Sequence, residues 1–124
     1  KMLAALAERD TPLGYWLDTD VVFVRPFSAA EYAKDGQITC SPAASIAWGG
    51  DPEWDRIYAH LGMDLPDYRI NLLRRRKKHT FVPYFSAGMI GFPEVLPSGQ
   101  RFGELWYDLG LKIDEMDSQR PGVE

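Results

Sequence analysis

Two aspartates separated by one residue stand inside an otherwise apolar stretch of the chain. Asp18 and Asp20 flank Thr19 in the segment YWLDTDVVFV, which is rich in aromatic and β-branched residues. Such residues favour β-strands, and side chains at positions i and i+2 of a strand point to the same side. We therefore expect the two carboxylates to lie on one side of an extended backbone.

Two carboxylates this close repel each other unless a cation or solvent separates them. Their hard oxygen atoms suit Mg²⁺ or Mn²⁺, and Mg²⁺ commonly binds one or two protein carboxylates together with substrate phosphates and water. The pattern therefore predicts a divalent-cation site at Asp18 and Asp20. The alternative is a solvated polar turn between two strands, which would use the same residues.

Two segments of the chain carry a resemblance to a known family. The segment Tyr15–Phe27, YWLDTDVVFVRPF, resembles the DxD segment of glycosyltransferases with the GT-A fold. The segment Pro83–Phe92, PYFSAGMIGF, resembles a later strand of that family, in which an aromatic residue precedes Asn-Ala-Gly or Asn-Ser-Gly. Ser86 stands here in place of the asparagine. The two motifs occur in the family's order, and the similarity runs from Leu13 to about Asp117.

The resemblance implies both a fold and an activity. The fold would be α/β and Rossmann-like, of GT-A type, with this chain forming the C-terminal part, a mixed sheet with flanking helices. The activity would be that of a hexosyltransferase-like enzyme, which moves a sugar from a nucleotide-diphosphate sugar to an unknown glycan, lipid or protein acceptor.

The resemblance also assigns residues to the donor and substrate site. They are Asp18, Thr19, Asp20, Ser86, Ala87 and Gly88. Asp18 and Asp20 would hold Mn²⁺ or Mg²⁺, and the stretch from Ser86 to Gly88 would lie near the transferred sugar or the acceptor. Gly88 would permit close approach of its backbone. The resemblance identifies no catalytic base.

The chain departs from the family's pattern at both ends. Only 17 residues precede Asp18, fewer than a nucleotide-binding βαβ half needs. No histidine follows Asp117 to complete a metal site in the manner common in the family, since His60 and His79 both lie between the two motifs. We therefore expect residues 1–124 to form a single, partial catalytic domain that lacks the N-terminal nucleotide-binding half.

Two other functions fit parts of the same pattern. Haloacid-dehalogenase-type phosphatases use Asp-x-Asp-x-Thr/Val, with Asp18 then a nucleophile and Asp20 a general acid. Such a phosphatase would also need an acidic pair at the end of a third strand, and none ends the β-rich segment 81–92. The other alternative is an inactive fragment that serves as an interaction module, with the basic run Arg74–Lys78 as its contact surface.

Composition narrows the class of protein. The 124 residues are 45% hydrophobic and 26% charged, as in an ordinary globular domain. With a net charge of −4, the chain lacks the excess of basic residues that is typical of nucleic-acid-binding proteins. The longest uncharged runs, 36–50 and 79–93, contain prolines and are shorter than the roughly 20 apolar residues of a membrane span. With no signal peptide in this chain, we expect a cytoplasmic location.

Helical and extended patterns alternate along the chain, which predicts an α/β layer fold. Apolar periodicity predicts helices over residues 1–9, 52–63 and 98 onward. Strands are predicted over residues 15–24, with an interruption at the aspartates, over 37–41, and over 81–92, with a break at 86–88. Ser28 and Glu31 have the spacing of a capping box and predict one further short helix.

Overall fold

A computed structural model describes residues 1–28, 32, 36–43, 51–71 and 80–118. Its elements, in chain order, are α1 (Met2–Ala5), β1 (Leu13–Leu17), β2 (Thr39–Pro42), α2 (Asp51–His60), β3 (Ile70–Asn71), β4 (Thr80–Phe81), β5 (Phe85–Pro93) and α3 (Phe102–Ser118). The chain divides into two compact units. The first comprises Lys1–Ser41 and Phe85–Tyr107, and the second comprises Pro42–Tyr84 and the chain from Asp108 onward.

The first unit contains a three-stranded antiparallel sheet in the order β1-β5-β2. β1 pairs with β5 from Leu13 opposite Pro93 to Leu17 opposite Met89. β5 is nine residues long and β1 only five. Because the pairing uses only the last five residues of β5, its first four residues extend beyond β1.

Aromatic rings lie across glycines of the paired strand and make the register specific. A methyl group at Gly14 would stand 2.4 Å from the Phe92 ring, and one at Gly91 would stand 2.7 Å from the Tyr15 ring. Side-chain pairs across neighbouring strands are the unit of sheet stabilisation. A slip of one residue would exchange the two faces of β1 and place these rings against side chains instead.

The core of the first unit is a set of packed aromatic rings on one face of the sheet. Phe92 of β5 stacks on Phe102 of α3, with ring centroids 4.2 Å apart. Trp106, one turn later in α3, contacts Phe102 at 5.6 Å and Trp16 of β1 edge-on at 6.2 Å. Ile90 completes the buried cluster. The helical spacing of Phe102 and Trp106 thus presses α3 onto the sheet.

Glu94, directly after β5, joins three parts of the first unit. Glu94 is only 8% exposed, and its carboxylate accepts hydrogen bonds from Arg9 Nε at 2.8 Å, from Arg101 Nη2 at 2.6 Å and from Arg101 Nε at 3.1 Å. Arg9 also donates to the Ala5 carbonyl at 2.8 Å, and Arg101 to the Ala7 carbonyl at 3.2 Å. We call Glu94, Arg9 and Arg101 the carboxylate clamp. It ties the end of α1 and the start of α3 to the end of β5.

The segment after β1 is a loop, so the prediction of a strand through Val24 is wrong. The Val21 N–H donates to the Asp18 carbonyl at 3.1 Å and closes a turn. Val22 and Val24 are 80% and 93% exposed, so this segment does not bury one face as a strand of a sheet would. Phe27 then returns the chain to the sheet by packing edge-on against Tyr15, with ring centroids 5.4 Å apart.

The second unit has its own contacts. The Trp54 ring of α2 packs against Tyr84 at 5.7 Å. His60, at the end of α2, places its Nε2 atom 2.9 Å from the Lys112 carbonyl oxygen in α3. β3 pairs antiparallel with β4, Ile70 opposite Phe81. Trp54, one of the apolar residues whose spacing predicted α2, therefore lies on a face of this helix that packs against the rest of the unit.

Most predicted elements are confirmed, with corrected ends. β2, α2 and α3 lie where predicted, but α1 ends at Ala5 and no break interrupts β5 at residues 86–88. The capping-box helix after Ser28 and the run Arg74–Lys78 fall outside the described residues. Both sheets within the described ranges are antiparallel, so the mixed sheet is not found there, and the Rossmann-like GT-A arrangement stays a prediction. In the described ranges, no helix has the length and apolarity to cross a membrane.

We predict that Glu94→Gln lowers the free energy of unfolding by about 1–3 kcal/mol at about pH 7, because three charge-assisted hydrogen bonds weaken in a buried site. Burial raises the pKa of Glu94, but hydrogen bonds from Arg101 and Arg9 lower it more, so the pKa lies below its ordinary 4.5. A carboxyl with a lowered pKa stabilises the fold above its unfolded-state pKa and loses that effect as the pH falls through the folded-state value.

Urea unfolding at about pH 7 and about pH 3 measures both effects. Glu104→Gln is the matched control, since Glu104 is exposed and stands 3.7 Å from Arg101 Nη1. The deficit of Glu94→Gln should shrink in acid, whereas a deficit that is equal at both pH values, or equal in the control, contradicts the clamp.

Candidate functional site

The pairing of β1 with β5 brings the two sequence motifs together. One residue beyond the last β1 pair, the Asp18 N–H donates to the Gly88 carbonyl at 2.9 Å. A methyl group at Gly88 would lie 3.7 Å from Asp18 Oδ2 and 3.4 Å from Ser86 Oγ. The Gly88 N–H in turn donates to Ser86 Oγ at 3.2 Å. Asp18, Ser86 and Gly88 thus form one polar site where β1 ends, on the part of β5 that extends beyond it.

Both oxygens of the Asp18 carboxylate accept a hydrogen bond. Lys1 Nζ is 2.7 Å from Oδ2, and the indole Nε1 of Trp16 is 3.0 Å from Oδ1. These two contacts, that of Lys1 first and that of Trp16 second, lower the pKa of Asp18. Asp18 is therefore ionised at neutral pH, and its carboxylate has a defined orientation.

Asp18 and Asp20 do not lie on extended backbone, which corrects the sequence-based expectation. The turn closed between Val21 and Asp18 carries Thr19 and Asp20 away from the sheet, and both side chains are exposed. The physical reason is that the chain leaves the sheet directly after Leu17, where the pairing of β1 ends. Asp20 therefore stands exposed on the turn that begins at Asp18.

The described residues hold no group of three or more His, Cys, Asp or Glu side chains placed to bind a metal. Two carboxylates on one exposed turn nevertheless suit Mg²⁺ or Mn²⁺, because these ions accept substrate phosphates and water as their remaining ligands. Asp18 and Asp20 therefore fit a hard cation that a bound diphosphate helps to hold. A cation at Asp18 Oδ2 would compete with the ammonium group of Lys1.

The three residues of the second motif occupy different surroundings. Ser86 is exposed and Gly88 is half-buried beside Asp18. Ala87, by contrast, packs against the aromatic core. Strand alternation also directs Phe85 away from Ser86. Phe85 lines a separate cavity of about 610 Å³, whose wall is formed by Tyr32, Gln37, Ile38, Thr39, Cys40 and Phe85.

Two contacts of Asp18 were not predicted from the sequence. Trp16 lies two residues before Asp18, and the alternation of a strand places both side chains on one face, so this contact could have been found. Lys1 is 17 residues away, across α1, and no local pattern connects it to Asp18. The other candidate binding segment, the basic run Arg74–Lys78, lies outside the described residues.

Comparison with known proteins gives one match. A family model described as the Rhodobacterales glycosyltransferase domain matches residues 1–121. No curated protein and no solved structure matches the chain. The matched range includes both motifs of the polar site.

We predict that Trp16→Phe raises the pKa of Asp18, because the substitution removes the indole N–H that hydrogen-bonds the ionised carboxylate. The side-chain carboxyl ¹³C shift of Asp18, followed across an acid titration, gives that pKa directly. Trp106→Phe is the matched control, since this ring packs on Trp16 in the same aromatic cluster. An Asp18 pKa that stays at the wild-type value in Trp16→Phe, or rises equally in both variants, contradicts the assignment.

Proposed function

The chain belongs to the Rhodobacterales glycosyltransferase domain family, and we propose that it transfers a sugar from a nucleotide-diphosphate sugar with a divalent cation held at Asp18 and Asp20. Family membership supports glycosyl transfer as the reaction class. The proposed place of the cation and the sugar donor is supported by the hydrogen bond from the Asp18 N–H to the Gly88 carbonyl, which joins the two motifs into one site.

The cation is assigned to the carboxylates by their chemistry. Bound there, Mn²⁺ or Mg²⁺ would neutralise charge that grows on the diphosphate as it leaves the sugar. Trp16 orients the Asp18 carboxylate by donating to Oδ1, which leaves Oδ2 on the side of Gly88 and Ser86. Asp20 is exposed on the same turn and has the freedom to approach a cation that arrives with the donor.

Ser86 and Gly88 supply the surface on which we place the sugar. Because Gly88 has no side chain, the space between Ser86 Oγ and Asp18 Oδ2 stays open. Ser86 Oγ accepts a hydrogen bond from the Gly88 N–H, and a hydroxyl that accepts still has its own hydrogen to donate. The Ser86 hydroxyl can therefore donate a hydrogen bond to a hydroxyl group of the sugar. A serine at this position thus keeps a polar contact despite replacing asparagine.

Neither alternative function gains support. The family match favours glycosyl transfer over the phosphatase. The interaction module depends on the run Arg74–Lys78, which lies outside the described residues.

We predict that Asp20→Asn lowers kcat by about 10²-fold or more without unfolding the protein. An amide of the same size competes poorly for a hard cation, and loss of one electrostatic contact to a transition state has this order of effect. The assay measures release of nucleoside diphosphate from a panel of uridine- and guanosine-diphosphate sugars, with Mn²⁺ and then with excess chelator.

Asp10→Asn serves as the control because Asp10 is an exposed aspartate of the same unit. It should turn over at the wild-type rate and melt at the wild-type temperature. Wild-type turnover in Asp20→Asn, or full activity of the wild type in chelator, would refute the cation site while leaving glycosyl transfer open.

A further inference from the structure

Lys1 occupies the position at Asp18 that the proposed function gives to a cation. Its ammonium nitrogen lies 2.7 Å from Oδ2, and the side chains of Lys1 and Asp18 are 47% and 26% exposed. The contact spans 17 residues and joins the segment before α1 to the end of β1. An ammonium group is a compact, hydrated point charge on a flexible stem, so it can leave this oxygen at little cost.

We propose that Lys1 is a built-in counter-ion for Asp18, which holds the carboxylate when no metal is bound and is displaced when a divalent cation binds. This inference rests on the proposed cation site at Asp18 and adds a residue that regulates access to it. Neither the sequence motifs nor the family match assigns a role to Lys1.

The competition follows from the orientation of the carboxylate. Trp16 donates to Oδ1 at 3.0 Å and Lys1 donates to Oδ2 at 2.7 Å, so a cation that approaches Oδ2 meets the ammonium group there. A divalent cation on that oxygen would also repel the ammonium beside it. The two therefore bind in place of each other, and each lowers the affinity of the site for the other by the same factor.

The ion pair also accounts for the charge of Asp18 when no metal is bound. Lys1 then neutralises the Asp18 carboxylate, while Asp20 stands exposed on the same turn. Displacement of Lys1 costs little free energy, because exposed ion pairs contribute little to stability. The donor's phosphates and the cation together can therefore replace the ammonium group.

The test measures Mn²⁺ binding directly, from the loss of the free-ion electron paramagnetic resonance signal during titration with protein. Five proteins are compared: wild type, Lys1→Gln, Lys1→Arg, Asp18→Asn and Lys112→Gln. Lys1→Gln keeps a hydrogen-bonding side chain without the charge, whereas Lys1→Arg keeps the charge. Lys112→Gln removes the same charge from an exposed lysine of α3 and controls for net charge.

We expect Lys1→Gln to bind Mn²⁺ about two- to fivefold more tightly than wild type, the range that an exposed ion pair allows. Lys1→Arg and Lys112→Gln should bind as wild type does, and Asp18→Asn should bind more weakly. Equal affinity in wild type and Lys1→Gln, with weaker binding in Asp18→Asn, overturns the counter-ion and leaves the cation site standing. Undiminished binding in Asp18→Asn overturns both.

Discussion

The pairing of β1 with β5 is the constraint on which the rest of the site depends. Because β5 is longer than β1, the pairing leaves four residues of β5 beyond the end of its partner. Asp18 is the first residue past that end, and its N–H still reaches the Gly88 carbonyl. The same register therefore builds the sheet and brings the two motifs to one place. A shift by one residue would separate Asp18 from Gly88 and exchange the two faces of β1.

The two ends of β5 differ in burial and in the residues that they contact. At its C-terminal end the side chains are buried, and Glu94 binds Arg9 and Arg101 immediately beyond the strand. At its N-terminal end Phe85 and Ser86 are exposed. Rigid packing at one end thus supports an open, polar surface at the other. Sites carried on regular elements are held more accurately than sites on loops, and the Ser86–Gly88 half of this site lies entirely within a strand.

Local patterns in the sequence predicted much of the fold, since β2, α2 and α3 follow from residue type and apolar period. These patterns gave wrong predictions where a tertiary contact determines the local structure. The alternating residues Val21–Val24 have the composition of a strand, but no partner strand covers them among the described residues, and a turn at Asp18 directs them into solvent. The small residues 86–88 suggested a break, yet they lie within the continuous strand β5. The proposed cation site at Asp18 comes from the spacing of the two aspartates, whereas the contact of Asp18 with Lys1 depends on how α1 folds back.

Paramagnetic broadening by Mn²⁺ in a ¹H–¹⁵N spectrum tests most directly whether the register builds a cation site. At a small fraction of one equivalent, bound Mn²⁺ should broaden the amide signals of Asp18, Ser86 and Gly88 first, because the structure places these residues together. The amide signals of Glu94 and Arg101, at the other end of β5, should stay sharp. Broadening that begins at Glu94, or that affects Asp18 without Ser86 and Gly88, would contradict the account.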